Sequence, residues 1–278
     1  MKTLHTVSEL RGYVAENRAA GKRIAFVPTM GALHDGHLEL VRQGLARADI
    51  CIPYIFLNPK QFAPTEDLAA YPKPLDSDLE KLRGVNADAV YLPAAADVYP
   101  EDFVTKVTLG GVALPLEGEF RPVMFEGVAT VLTKMLLRCL PDIALFGEKD
   151  YQQLCVIRRF VRDLDIPVEI IGVPTAREVD GLAMSSRNAY LSAEERAIAP
   201  RLHQTLQNMA RRVKAGEPLE NVEHTGAQAL LDAGFQTVDY ITVRDADTLL
   251  PPDARTINRR ILAAAYLGKA RLIDNIPL

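Results

Sequence analysis

Cysteine is scarce in this 278-residue chain. Cys51, Cys139 and Cys155 form an odd count with no C-x-x-C pair, so neither a disulfide framework nor a zinc knuckle is indicated. Long apolar runs are missing as well. Residues 50–57 are interrupted by Pro53 and fall far short of the ~18 needed for a membrane span. The opening MKTLHTVSEL has no apolar core of a signal peptide. Nor is there a positive excess: the net charge is −4, which provides no global field for nucleic acid. No repeat or low-complexity tract occurs. With 48% hydrophobic and 24% charged residues the composition is globular, and the profile is that of a soluble, cytoplasmic enzyme.

At about 150 residues per domain the length predicts two domains. Apolar runs at 24–27, 49–57, 87–92, 143–146 and 168–173 read as buried strands. Between them, Leu38, Val41, Leu45 and Ala48, and then Leu154, Ile157, Val161 and Leu164, each mark one helical face. Strand alternating with helix predicts a Rossmann-like, doubly wound parallel sheet of the α/β class over residues 1–175. The texture changes after Pro174. Ser192 and Glu195 form a capping box for a helix at 193–213 that Pro200 should break or kink. A helix at 227–232 and strands at 238–243 and 261–267 complete a smaller C-terminal α+β lid domain, 176–278.

The glycine-rich phosphate loops are absent, since neither G-x-x-x-x-G-K-[ST] nor G-x-G-x-x-G occurs. In their place stands PTMGALHDGH at 28–37, between the first strand and the first strong helix, at the carboxyl end of the sheet where such folds bind ligands. His34 and His37, with Gly36 between them, can approach a phosphate closely, and the helix start adds N–H groups and a positive dipole end. The chemistry this suits is charge stabilisation during in-line displacement. Lys149 and Asp150, after the 143–146 strand, offer an ammonium for polyphosphate and a carboxylate for ribose or hydrated Mg²⁺. Ser185, Ser186 and Arg187 supply two hydroxyls and a guanidinium for phosphate. Gln61 and Gln153 are amides suited to a small substrate rich in hydroxyl and carboxylate groups.

The H-x-G-H turn resembles the nucleotidyl-transfer superfamily that includes class I aminoacyl-tRNA synthetases, with 184–188 as its second, closing loop. A closer resemblance is carried by several stretches together. PTMGALHDGH (28–37), FLNPKQF (56–62), LEGEFRP (116–122), FEGVATVLTK (125–134), FGEKDYQQL (146–154), REVDGLAMSSRNAYL (177–191) and DYITV (239–243) are similar to the pantothenate synthetase, or pantoate–β-alanine ligase, family. That resemblance implies ATP-dependent ligation of (R)-pantoate to β-alanine through a pantoyl-adenylate, with Mg²⁺ and a homodimer. It implies a first ATP segment of Met30, Gly31, Ala32, Leu33, His34, Asp35, Gly36 and His37, with His37, His34 and Lys149 catalytic. Gly147, Glu148, Lys149 and Asp150 form a second nucleotide segment and Met184, Ser185, Ser186 and Arg187 a third, while Ala176 contacts adenine through its backbone. Gln61 and Gln153 bind pantoate, and Asn58 lines its pocket.

Two positions depart from the family pattern. Met124 stands where the family usually has His, and Lys73 where it usually has Arg. The metal ligand stays open between Asp150 and Asp78. The rival readings are a nucleotidyltransferase acting on another small substrate and a nucleotide-binding regulator without catalysis. The joint presence of His34, His37, Lys149, Asp150 and Arg187 disfavours the regulator, which would not need the whole set.

Overall fold

The computed structural model describes residues 1–64 and 68–278. The chain divides into two compact units, one of residues 1–148 and 153–174, the other of 149–152 and 175–278. In the first unit the strands are β1 (Lys2–Leu4), β2 (Ile24–Thr29), β3 (Ile50–Ile55), β4 (Ala89–Tyr91), β5 (Ile143–Gly147) and β6 (Glu169–Val173). Among the described residues they form one sheet in the order β1-β4-β3-β2-β5-β6, every pairing parallel. From β2 the chain steps one way to β3 and β4, then returns to place β5 and β6 on the other side. The order therefore reverses at β2 and β5, and their carboxyl ends flank the crevice such folds use for ligands.

Helices α1 (Val7–Ala19), α2 (Asp35–Leu45), α3 (Leu75–Gly84), α4 (Ala95–Val98), α5 (Glu117–Phe120), α6 (Met124–Cys139) and α7 (Tyr151–Asp163) accompany these strands. The apolar stripe of α2 packs Leu38 and Val41 against Ala25, Val27, Cys51 and Leu145 of the sheet. Full burial of each such aliphatic side chain contributes about 1.5–3 kcal/mol. The β-branched, apolar β2 and β3 lie buried because a parallel sheet of this kind is covered on both faces.

In the second unit, helices α8 (Ala193–Ile198), α9 (Arg201–Lys214) and α10 (Leu219–Asp232) accompany strands β7 (Thr237–Asp245), β8 (Arg259–Leu267) and β9 (Ala270–Pro277). The strands form an antiparallel sheet, β7-β8-β9. Its core joins Leu202, Leu206 and Met209 of α9 to Val222 and Leu230 of α10 and Ile241, Val243 and Ile261 of the sheet.

The capping box forms as expected: the Ser192 hydroxyl accepts from the Glu195 N–H at 3.2 Å, and the Ser192 N–H donates to Glu195 Oε2 at 2.8 Å. The 193–213 helix is broken at Pro200 into α8 and α9, as the missing N–H of proline requires. Other elements differ from the sequence reading. Helix α10 begins at Leu219 rather than 227. Helices α1, α3, α4, α5 and α6 and strands β1 and β9 are additional to those the sequence pattern predicts. Helix α6 buries eleven of its sixteen residues, and the less buried ones, Glu126, Thr133, Lys134, Leu137 and Arg138, lie along one side. Strand β9 hides its alternation because Asp274 and Asn275 are both buried and polar.

Candidate active site

The turn after β2 is held by side chains from elsewhere in the first unit. Gly31 and Ala32 lie in the left-handed region, at φ 83° and 52°. A side chain at Gly31 would be strained there and would also press on Ile55 and Asp78. Successive backbone N–H groups find side-chain acceptors. Gly31 donates to Thr29 Oγ1 at 3.3 Å, Ala32 to Asp78 Oδ2 at 2.8 Å, Leu33 to Asp78 Oδ1 at 2.7 Å, and His34 to His37 Nδ1 at 3.4 Å. Lys81 Nζ donates to the Leu33 carbonyl at 2.6 Å. Asp78, 1% exposed, and Lys81, one turn along α3, thus clamp the turn from below. Sequence reasoning considered Asp78 only for a metal. Nothing local marks it as a pin for a turn more than forty residues earlier.

The clamp sets the two imidazoles side by side at the start of α2, with ring centroids 4.0 Å apart and planes inclined at 37°. A backbone N–H only donates, so His37 Nδ1 accepts from His34 and the ring proton sits on Nε2.

After β3, Asn58 caps a 3₁₀ turn over Pro59–Gln61 and Gln61 ends it. Both are buried, at 2% and 8% exposure. Gln61 Nε2 lies 3.0 Å from Met30 Sδ, so this amide and the H-x-G-H turn are brought together. Gly127 of α6 permits the close packing here: a Cβ on it would lie 2.2 Å from the Lys60 carbonyl oxygen. Met124 is buried at the start of α6 and its sulfur sits 2.8 Å from Arg121 Nη1. Arg121 Nη2 also donates to the Gln61 carbonyl at 3.4 Å. Lys73 is exposed. Phe62 is buried edge-on to Tyr71, with centroids 6.1 Å apart. Gly147 ends β5, Glu148 opens the following 3₁₀ turn, and Gln153, half-buried, lies in the first turn of α7.

In the second unit, Lys149 Nζ lies 3.7 Å from Asp150 Oδ1, with the side chains 18% and 41% exposed. The Lys149 carbonyl accepts from Asn275 Nδ2 at 2.8 Å, and the Tyr151 hydroxyl donates to the Ala246 carbonyl at 3.0 Å. These bonds tie 149–152 to the small sheet. Lys149 and Ser185 line one small pocket with Asn188, His203 and Asp274. The 176–184 segment folds back on itself: the Met184 N–H donates to the Ala176 carbonyl at 3.0 Å, and Arg177 pairs with Ala183. Ser185 then caps the turn over Ser186–Tyr190, its hydroxyl accepting from the Arg187 N–H at 3.3 Å.

Arg177 anchors this segment. Its guanidinium grips both oxygens of Asp274, at 2.7 and 2.8 Å, and donates to the Gly181 carbonyl at 3.0 Å. His203 Nδ1 lies 3.3 Å from the same carboxylate. Burial would raise the Asp274 pKa, but the nearby His203 ring and the paired Arg177 guanidinium outweigh it and hold the carboxyl below its usual range. The sequence reading missed Asp274, which stands ninety-seven residues from its partner.

Comparison with known proteins gives concordant matches. The profile of the family described as pantoate-beta-alanine ligase matches residues 2–277. The chain is 54% identical over 273 residues to a pantothenate synthetase of Paramagnetospirillum magneticum, covering 98% of this chain and 96% of that one. It is 52% identical over 278 residues to the pantothenate synthetase of Caulobacter vibrioides, covering 99% and 98%. A crystal structure of pantothenate synthetase from Thermus thermophilus superposes with a TM-score of 0.94 at 42% identity, covering 99% of each chain. A pantoate-beta-alanine ligase from Francisella tularensis, complexed with beta-gamma ATP and beta-alanine, superposes at 0.83 with 31% identity, covering 100% and 97%.

Proposed function

The chain belongs to the pantoate–β-alanine ligase family, and on that premise we propose how its own residues carry the reaction. The enzyme forms the C–N bond between the pantoate carboxyl carbon and the β-alanine amine. A carboxylate is a poor acylating agent because amine attack would have to expel an oxide. Attack of a pantoate oxygen on the α-phosphorus of ATP releases pyrophosphate and turns that oxygen into part of a phosphate leaving group. The β-alanine nitrogen then adds to the acyl carbon, loses a proton, and AMP departs.

The observation that carries this reading is the clamped turn with its paired imidazoles, set where the strand order reverses. His37, with its proton on Nε2, donates to the α-phosphate oxygens as their charge grows, and His34 stacks beside it on the phosphates. Met30, Gly31, Ala32, Leu33, Asp35 and Gly36 line the nucleotide, and Gly147 and Glu148 close the end of β5 on it. For the second unit the same reading assigns Lys149 and the 184–187 segment to phosphate, Asp150 to ribose or metal, and the Ala176 backbone to adenine. Gln61 and Gln153 hold pantoate, and Gln61 also serves the β-alanine step.

Mg²⁺ carried by ATP keeps several waters and asks for only one or two carboxylates. The half-exposed Asp150 fits that demand, whereas both Asp78 oxygens already accept backbone N–H groups. When bound, the ion offsets phosphate charge. The family resemblance further assigns a cytoplasmic homodimer. Among the described residues no helix is long and apolar enough to cross a membrane.

Isotope exchange tests the sequence of steps. Labelled pyrophosphate should enter ATP when pantoate is present and β-alanine absent, and adding β-alanine should release AMP. Exchange without pantoate, or ADP as product, would defeat the adenylate reading. A product that retains the nucleotide would favour a nucleotidyltransferase.

A further inference from the structure

Behind the 3₁₀ turn at Pro59–Gln61, three polar side chains form a chain of hydrogen bonds whose directions are forced. Asn58 Nδ2 donates to the Gly127 carbonyl at 3.1 Å, and Asn58 Oδ1 accepts from the Lys60 N–H at 3.3 Å. A carbonyl can only accept and a backbone N–H can only donate, so these contacts decide which way round the Asn58 amide lies. The same nitrogen donates to Gln61 Oε1 at 3.0 Å, and the same oxygen accepts from the Tyr99 hydroxyl at 2.8 Å. Both protons and both lone pairs of the Asn58 amide are used inside the protein. Gln61, with its oxygen turned back towards Asn58, must direct Nε2 the other way, where a thioether, Met30 Sδ, lies 3.0 Å off. Sulfur is a weak acceptor, so an oxygen is the better partner for that N–H₂ group.

Tyr99 is well placed to hold this arrangement. Its ring packs 5.1 Å from Phe103 and 6.1 Å from Phe56, with Lys60 Nζ 5.0 Å from its centroid. Burial raises the phenol pKa, which keeps the hydroxyl a donor. Its bond is the shortest of the four on Asn58. Without it, the Asn58 oxygen keeps only the 3.3 Å contact to Lys60, and the amide gains room to pivot.

We propose that the Tyr99 hydroxyl is a positioning residue for pantoate: acting through Asn58, it holds the Gln61 amide with its N–H₂ towards the substrate, so that this wall of the pocket selects an oxygen acceptor. The proposal rests on the assignment of Gln61 to pantoate.

The test is a cycle of Tyr99→Phe and Gln61→Ala followed by steady-state kinetics. Tyr99→Phe keeps the ring and its packing and removes only the hydroxyl. It should raise the pantoate KM roughly tenfold, about the effect of one hydrogen bond, with the ATP KM unchanged. In the Gln61→Ala background the same change should be silent, because the relay then ends on nothing. An unchanged pantoate KM in Tyr99→Phe, a parallel rise in the ATP KM, or an equal effect in both backgrounds would overturn the relay alone. If Gln61→Ala itself leaves the pantoate KM unchanged, the assignment of Gln61 fails and the relay falls with it. Gln61→Glu supplies an independent check, because it keeps the shape while replacing N–H₂ by a carboxylate oxygen. It should raise the pantoate KM at least as much as Gln61→Ala, and a wild-type pantoate KM in that variant would refute the donor role.

Discussion

At the scale of single residues, His37 shows how a main-chain contact prepares a side chain. Its Nδ1 accepts from the His34 N–H, leaving Nε2 to donate. A donor aimed at developing charge contributes mainly in the transition state, where removing one such group costs ~2.7–4 kcal/mol. His37→Ala should therefore lower kcat by roughly 10²–10³ while changing ATP affinity little. Single-turnover rates and ATP binding measured on the same variant check this. A kcat near the wild-type value would remove His37 from the chemistry. The pairing of the two His was legible in the sequence because their spacing at a strand-to-helix turn suffices to bring the rings together. Asp78 was not, because its bonds to Ala32 and Leu33 exist only once α3 packs beneath the turn.

Elements matter next, and the 176–184 hairpin is the clearest case. A polar, irregular stretch acquires one shape because Arg177 ties its turn, through the Gly181 carbonyl, to a buried carboxylate on β9. Asp274→Asn leaves the guanidinium facing a neutral group. Breaking a buried pair costs ~3–5 kcal/mol, and Arg177, with its side chain 21% exposed, puts this one at about 3 kcal/mol. Because the Asp274 carboxyl is held below its ordinary value of 3.8, its contribution is fully present above that value and is lost as pH falls. The stability gap between wild type and Asp274→Asn should thus be level from pH 7 to about pH 5 and shrink at lower pH. Urea unfolding across that range measures it, and a gap that widened in acid would contradict the pairing.

For the molecule as a whole, the scarce cysteines give a direct readout of the first unit. Cys51, Cys139 and Cys155 are all buried. Burial, with Asp88 nearby, pushes the Cys51 thiol up to about 12, and burial raises Cys139 as well. Buried thiols of raised pKa are poor nucleophiles. The native protein should leave all three unreacted with a disulfide reagent at pH 8 over minutes, and unfolding in guanidinium should release three equivalents. Fast reaction of any one in the native state would show that its part of the first unit opens readily.

What the sequence by itself determined was what local pattern can encode. Buried strands announce themselves as apolar runs, α2 and α7 as stripes of period 3.6, Ser192 and Glu195 as a cap, and the H-x-G-H turn as two imidazoles set between a strand and a helix. Those signals lie within a few residues of one another, so chain order preserves them. Only the tertiary structure decided the rest. Strand β9 carries polar residues whose partners come from distant parts of the chain. The clamp on the turn, the Arg177–Asp274 anchor and the Tyr99–Asn58–Gln61 relay each join residues about forty to a hundred positions apart. Their directions follow from which backbone groups can only donate or only accept, and that becomes readable when packing brings the partners within about 3 Å.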